Sequence, residues 1–301
     1  MQNTIWFNGK LVNEHEASLP FLTHALHYGS AVFEGIRFYD TEKGPAIFRL
    51  KEHVDRLFYS ASALHMKMPY SEKEIFDAIV ETVKSTGLKE GYIRPLVFYG
   101  AGRMVLNPIG ADINVAIAAW PMPPYLGLDP IKIKISPYIR IHPKSLNNHA
   151  KISGHYVNSI NASIDAKHSG FDEALLLDYE GNLAEGPGAN IFLIKHDLLV
   201  TPPRNNILPG ITRDSIIQIA KNDNYKIREI NIHPANIHEY DESFFAGTAA
   251  EVTPIASINE RFFKSKQGET TTYFKNKYSD IVHGKVKEYE HWLTYVKILE
   301  S

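Results

Sequence analysis

Cysteine is absent from the 301 residues, which excludes disulfides, thiolate metal sites and a cysteine nucleophile. An excess of one charge is missing too. The formal net charge is −2, so no basic surplus exists to neutralise a nucleic-acid backbone or an anionic membrane. No apolar run approaches the roughly 20 residues that span a bilayer, and Met1-Gln-Asn-Thr-Ile-Trp-Phe-Asn-Gly-Lys10 lacks the charged-then-apolar layout of a secretion signal. Without such a signal, the sequon Asn161-Ala-Ser163 carries no meaning. Gly186-Pro-Gly188 has Ile191 where a dinucleotide turn needs its third glycine, and no Walker lysine follows. His24 and His27 have no third ligand spaced to join them, so no metal site is expected. There is no internal repeat and no low-complexity segment. A soluble cytoplasmic protein with no nucleic-acid, membrane or metal partner is expected.

What is present is an ordinary globular composition, 44% apolar and 22% charged, in a chain long enough for two domains with separate cores. Asn8-Gly9 between Ile5-Trp-Phe7 and Lys10-Leu-Val12 predicts a hairpin. Residues Leu26 to Tyr39, aromatic, branched and broken by Gly29 and Gly35, suit strands and turns that approach a ligand closely. Ala46 to Phe48 reads as a strand, and Leu50 to Leu64 as a helix with Leu50, Val54, Leu57, Phe58, Ala61 and Leu64 at helical spacing. Ser71 caps a further helix that Gly87 ends, and Tyr92 to Tyr99 and Ile113 to Trp120 read as strands. Three prolines in Pro121-Met-Pro-Pro-Tyr-Leu-Gly127 make a stiff connector. The expected division is therefore a small α/β domain over 1–120, a connector over 121–130 and a larger domain over 131–301. In the latter, Ile131 to Ile135 is a strand and Ala174 to Leu177 another. Ser153 to Lys167 is a helix with Val157, Ile160 and Ile164 on one face, and Thr271 to Leu299 also reads as helical.

The stretch from Leu183 to Arg213 holds a carboxylate in a Gly-rich turn, two short apolar runs, and Leu208-Pro-Gly210-Ile-Thr212 opening a helical pattern. A Gly turn and a hydroxyl at a helix start present backbone N–H groups and the positive end of the dipole, which suits a phosphate. By itself, the same turn reads equally as a plain helix start.

Glu185-Gly-Pro-Gly-Ala-Asn190-Ile-Phe192, Leu199-Val-Thr201 and Leu208-Pro-Gly210-Ile-Thr-Arg213 together resemble the signature of the class IV aminotransferases, which use pyridoxal 5′-phosphate (PLP). Pro187 departs from it, standing where the family usually carries a small residue. Four further segments resemble the branched-chain branch: His24-Ala-Leu-His-Tyr-Gly-Ser-Ala-Val-Phe-Glu-Gly-Ile-Arg37, Tyr92-Ile-Arg-Pro95, Ala150-Lys151 and Gly247-Thr-Ala-Ala-Glu251. The resemblance implies an α+β (α/β) chain of fold type IV, with the cofactor in the cleft between two domains.

It also implies roles. Lys151 would bond the cofactor's aldehyde carbon and later carry the proton of the substrate Cα, and Tyr156 would reach the ring's phenolic oxygen. Glu185 would meet the pyridine nitrogen, and Arg56, Ile211, Thr212 and Thr248 would hold the phosphate. Read from the residues alone, Lys151 and Glu185 are surface charges, Arg56 is a helix arginine with only its stem on the core, and Tyr156 packs in a core. The substrate wall would be Tyr28, Phe33, Tyr92, Tyr125 and Tyr156, with Tyr28 and Leu106 reaching a neighbouring subunit of a homodimer or larger homo-oligomer. Arg94 would pair with the distal carboxylate of glutamate, and Ala249 and Ala250 would bind the α-carboxylate through backbone N–H groups. Met122 and Arg103 replace residues more usual in close relatives.

The reaction that the resemblance implies moves an amino group from L-leucine, L-isoleucine or L-valine to a 2-oxo acid, 2-oxoglutarate. Alternatives on the same fold are a D-amino-acid or amine aminotransferase or aminodeoxychorismate lyase. From another class, the alternative is a PLP-binding protein without turnover.

Overall fold

The computed structural model describes residues 4–265 and 267–297. Contacts divide the chain into two units, one of Met1–Pro123, Ala150–Gly154 and Asp280–Ser301, the other of Pro124–His149 and His155–Ser279. The expected continuous domains are thus corrected at two places. Ile152 pairs with Val32, and a strand at Leu293–Tyr295 adds to the edge of the first sheet, so backbone pairing draws both segments into the first unit. Residues 131–301 are not one domain.

The first unit is built on an antiparallel sheet. β1 (Thr4–Phe7) and β2 (Lys10–Asn13) form the predicted hairpin. Asn8 and Gly9 both take positive φ, 46° and 97°, the mirror-turn geometry that matches strand twist. A short helix α1 (His24–Tyr28) follows where strands were expected, closed by Gly29 at φ 64°. A Cβ at Gly29 would lie 2.9 Å from Gly154 Cα, so this turn needs glycine for the space as well as for the angle. Next come β3 (Ala31–Phe33), β4 (Ile36–Tyr39), β5 (Ala46–Phe48), helices α2 (Leu50–Ala63) and α3 (Glu72–Thr86), β6 (Gly91–Tyr99) and β7 (Ile113–Trp120). The sheet runs Leu293–Tyr295, β5, β4, β6, β7, β1, β2, with β3 also on β6. Ser71 and Glu74 complete a capping box at the start of α3, and Gly87 ends it in the left-handed conformation. Leu50, Val54, Leu57 and Ala61 from α2 and Ile75, Ile79 and Val83 from α3 close over Val32, Ile36, Ile93, Val97 and Ile117 of the sheet. Of the α2 stripe read from periodicity, Leu50, Val54, Leu57 and Ala61 are buried, and Phe58 and Leu64 are partly buried against the same core.

The second unit holds β8 (Ile131–Ile135), α4 (Tyr156–His168), β9 (Glu173–Leu175), β10 (Asn190–Lys195), β11 (Leu198–Thr201), α5 (Ile211–Asn222), β12 (Lys226–Glu229), β13 (Glu242–Gly247), β14 (Glu251–Ile258) and α6 (Glu269–Val282). Its sheet is mixed, in the order β12, β11, β10, β13, β14, β8, β9. β10 is apolar on both faces because both are covered. Ile191 and Leu193 join Phe245 and Ile255 in one core, while Phe192 stacks on Phe244 on the other side.

Two helical expectations are corrected. Ser153–His155 is a separate tight turn before α4, and Val157, Ile160 and Ile164 are exposed. The buried face is Ser159, Ala162 and Ala166. Small side chains let the helix approach Ala174 and Leu176, so close contact rather than bulk selects the face. The tail is helical only over α6, followed by a tight turn (Lys287–Trp292) and the strand Leu293–Tyr295; residues 298 and 299 of the expected helix lie outside the described residues. Among the described residues, no helix is long and apolar enough to cross a membrane. Because Ala162 is fully buried against β9, Ala162→Leu should lower stability by about 1–3 kcal/mol. A urea midpoint unchanged from the parent protein would refute this account of α4.

Candidate active site

In the first unit the segment Ala150–Gly154 is pinned on both sides. Lys151 N–H donates to Ser60 Oγ of α2 at 2.9 Å, and Lys151 C=O accepts from Phe33 N–H at 3.1 Å. The half-buried Lys151 side chain places Nζ 4.9 Å from the centre of the Phe33 ring. Arg94 on β6 lies over the same ring at 4.6 Å. One aromatic ring thus serves two cations, the contact that a ring quadrupole favours. Arg94 Nη2 also donates to Tyr92 Oη at 3.2 Å. Tyr92 can lie there only because residue 35 is glycine, since a Cβ would come within 1.9 Å of its hydroxyl. Lys151, Phe33, Tyr92 and Arg94 are therefore brought together.

Arg56 is placed differently from the free helix arginine of the residue-level reading. Its side chain is 12% exposed, and Nε and Nη2 donate to Glu34 Oε1 and Oε2 at 2.7 and 2.8 Å. His53 Nδ1, one helical turn earlier, donates to the same carboxylate at 2.7 Å. Burial alone would raise the Glu34 carboxyl, but the charge and hydrogen bonds of Arg56, then His53, hold it well below the usual carboxylate range. Burial outweighs Glu34 at His53 and lowers its pKa, so a neutral imidazole donates through Nδ1–H.

Tyr28 and Leu106 are exposed, Leu106 by 83%. Their loops are joined by His24, whose Nε2 donates to Val105 C=O at 3.0 Å while Nδ1 accepts from Ser30 Oγ at 2.6 Å. Arg103 Nε donates to Asn107 C=O, closing its own loop. Phe21, Leu22, Leu26, Val105 and Ile109 are exposed on these segments as well.

In the second unit Glu185 is not an exposed turn acid but 6% exposed. It accepts from Arg140 Nε at 2.5 Å, from Asn190 Nδ2 at 3.1 Å and from Leu208 N–H, a donor set that suits an ionised carboxylate. The turn that carries it closes through Gly186 N–H to Ala189 C=O, and Pro187 sits inside where no donor is needed. Asn190 Nδ2 also donates to Leu208 C=O, and a Cβ at Gly210 would meet Asn190 Oδ1 at 2.0 Å. Glu185 and the start of α5 are thereby held together. Gly210 is extended at the N-cap with no side-chain cap, and Ile211 and Thr212 are buried in the first turn.

The turn between β13 and β14 ends in Glu251 at φ 51°, a strained value for a non-glycine residue. Among the described residues, no acceptor takes the backbone N–H of Ala249 or Ala250. Thr248 and Ala249 are half-buried, and Thr253 Oγ1 donates to Ala250 C=O. Tyr125 Oη donates to Glu173 at 3.3 Å. Tyr156 opens α4 beside His155, whose two ring nitrogens have no partner among the described residues. In the second unit, a helix start without a cap, backbone N–H groups with no acceptor among the described residues and a buried carboxylate ringed by donors suit the phosphate and ring nitrogen of a phosphorylated pyridine; in the first unit, an amine against an aromatic ring suits an aldehyde.

Arg140, Asn190, Glu34 and His53 were not singled out from sequence. Asn190 and Glu34 lie within the matching motifs, but nothing local marks their partners. Arg140 lies 45 residues before Glu185, and no spacing rule joins them.

Residues 31–258 match the model of the amino-transferase class IV family. The chain belongs to the class IV aminotransferases. Within this family it is 43% identical to the branched-chain-amino-acid aminotransferase of Pseudomonas aeruginosa over 298 residues, 97% of each chain. The branched-chain aminotransferase of Thermoproteus uzoniensis, solved with norvaline, superposes with TM-score 0.95 at 38% identity, covering 99% of this chain and 100% of that one. The enzyme of Thermobaculum terrenum in its PLP form gives 0.92 at 31% identity, covering 98% and 99%. At these identities and coverages the mixed α+β, two-sheet class IV fold is shown.

His155 ties this site to pH. Burial, then the nearby Arg140 charge, pushes its pKa down to about 4. A lowered histidine pKa means that the unfolded chain binds the extra proton first. Stability is therefore full above about pH 6.5 and is lost as pH falls toward 4. His155→Gln should remove on the order of 2 kcal/mol of the stability difference between about pH 7.5 and pH 5. Urea unfolding at the two pH values measures it, and an unchanged difference would show that His155 titrates normally.

Proposed function

We propose that this chain is a branched-chain amino acid aminotransferase. It transfers the amino group of L-leucine, L-isoleucine or L-valine reversibly to 2-oxoglutarate, with PLP as cofactor, and acts in the cytoplasm as a homodimer or larger homo-oligomer. The observation that carries the reading is the Lys151 amine on the Phe33 ring beside Arg94, in a chain whose near-full-length relatives carry that name. When bound, PLP supplies the electron sink that makes the substrate Cα–H acidic.

The chain's own residues do the rest. Lys151 would hold the cofactor through its amine, and with the same amine would carry the proton of the substrate Cα to the cofactor's aldehyde carbon. Its backbone is held by Ser60 and Phe33, so the amine swings from a fixed point. Glu185, held by Arg140, Asn190 and Leu208, offers a carboxylate to the pyridine nitrogen, and Tyr156 offers a hydroxyl to the ring oxygen. Arg56, the first turn of α5 with Ile211 and Thr212, and Thr248 bind the phosphate. Ala249 and Ala250 offer N–H groups to the α-carboxylate. Phe33, Tyr92 and Tyr125, with Tyr28 and Leu106 of a neighbouring copy, form the apolar wall, and Arg94 meets the second carboxylate of glutamate. The exposed apolar groups around Tyr28 and Leu106 support an assembly that covers them.

Three outcomes test the reading. Lys151→Ala should be colourless where the parent protein with cofactor is yellow, and at least about a thousandfold slower; undiminished turnover would mean that the lysine is misassigned. Arg94→Leu should raise KM for 2-oxoglutarate about 10- to 100-fold, the loss of a charge-assisted contact, with little change for L-leucine. Faster turnover of D-alanine than of L-leucine or L-isoleucine would overturn the branched-chain assignment.

A further inference from the structure

The tripeptide Phe33-Glu34-Gly35 between β3 and β4 serves three different side chains. Phe33 lies under Lys151 and Arg94, and Gly35 makes room for the Tyr92 hydroxyl. Glu34 turns the other way, fully buried, and takes both Arg56 and His53. Its own backbone is fixed, N–H to Pro95 C=O at 2.9 Å, so the carboxylate cannot follow a moving partner.

A guanidinium on a helix surface samples many rotamers, and holding it in one costs entropy on binding. Here Nε and Nη2 are both committed to one rigid carboxylate. That fork fixes the guanidinium plane and directs the remaining edge, which carries Nη1, away from Glu34. His53 adds a second tether on the carboxylate from one helical turn earlier. As His53 is neutral, Arg56 alone offsets the buried anion. The pair is thus held at zero net charge and in a single orientation.

We propose that Glu34, with His53 behind it, is a positioning residue that sets how Arg56 meets the cofactor phosphate. The inference rests on the reading above, in which Arg56 is a phosphate ligand, and adds that the arginine's contribution depends on a buried acid that never touches the cofactor. An acid beside a phosphate ligand would be expected to repel an anion. The bidentate geometry gives the opposite sign, because a fixed guanidinium binds without further ordering.

The test compares two ligands that differ only in the phosphate. Dissociation constants of PLP and of pyridoxal are measured by fluorescence titration of the cofactor-free full chain, parent and E34Q. The parent should prefer PLP strongly. E34Q should lose about tenfold or more of that preference while pyridoxal affinity stays within about twofold. Equal weakening of both ligands would show a merely structural role and overturn the inference, as would an unchanged ratio. Should E34Q not fold, Glu34→Asp keeps the charge but withdraws it from Arg56 by one methylene, and the same loss of preference is expected. A parent protein that binds neither ligand overturns the cofactor reading itself and this inference with it; a parent that binds PLP beside an unchanged E34Q overturns only the inference.

Discussion

A carboxylate taken out of water must be surrounded by donors, and that requirement is met in both units by the same means. Glu34 in the first and Glu185 in the second are each buried, each paired with one arginine, and each given further neutral donors. Removing a partner from such a group leaves an uncompensated buried charge. The surrounding backbone is therefore committed as well: β3 and β4 meet at Glu34, and the Gly186–Ala189 turn and the loop before α5 close on Glu185. The elements around these two acids are fixed as a consequence of burying them.

The Lys151 amine, proposed above as the reactive group, is fixed by similar means. Lys151 lies on a short segment outside any strand or helix, yet its N–H and C=O are bonded to α2 and β3. A loop lysine is thus made as fixed as one on a regular element. Close packing completes the arrangement, since Gly29, Gly35 and Gly210 each stand where a Cβ would collide with a neighbour. Glu251 is one of seven described non-glycine residues at positive φ, and it ends the turn in which the backbone N–H groups of Ala249 and Ala250 have no acceptor among the described residues.

Much of this was legible in the sequence. Asn8-Gly9 dictated its hairpin, Ser71 and Gly87 bounded α3, and the stripes of α2 and α3 faced inward. Motif resemblance placed Lys151, Phe33, Tyr92 and Arg94 in one site, and they are neighbours in the fold. The misreadings share a cause. On α4 the bulky residues Val157, Ile160 and Ile164 share a face, but that face is exposed, and Ala162 and Ala166 pack instead because they admit a closer approach to β9. His24 to Tyr28 forms a helical turn inside an aromatic, branched run, where propensity yielded to the packing of Gly29 on Gly154.

The amino-acid order by itself determined the first hairpin, the ends of α3 and the motifs that mark the family, because these depend on neighbours a few residues apart. Only the tertiary structure decided that Arg56 is held by Glu34, that Glu185 is held by Arg140, and that residues 150–154 and the C-terminal strand belong with the first unit. Those partners are 22 and 45 residues apart. No local rule selects them; the need to pair each buried charge and each edge strand does, and it can be met only after the chain has closed on itself.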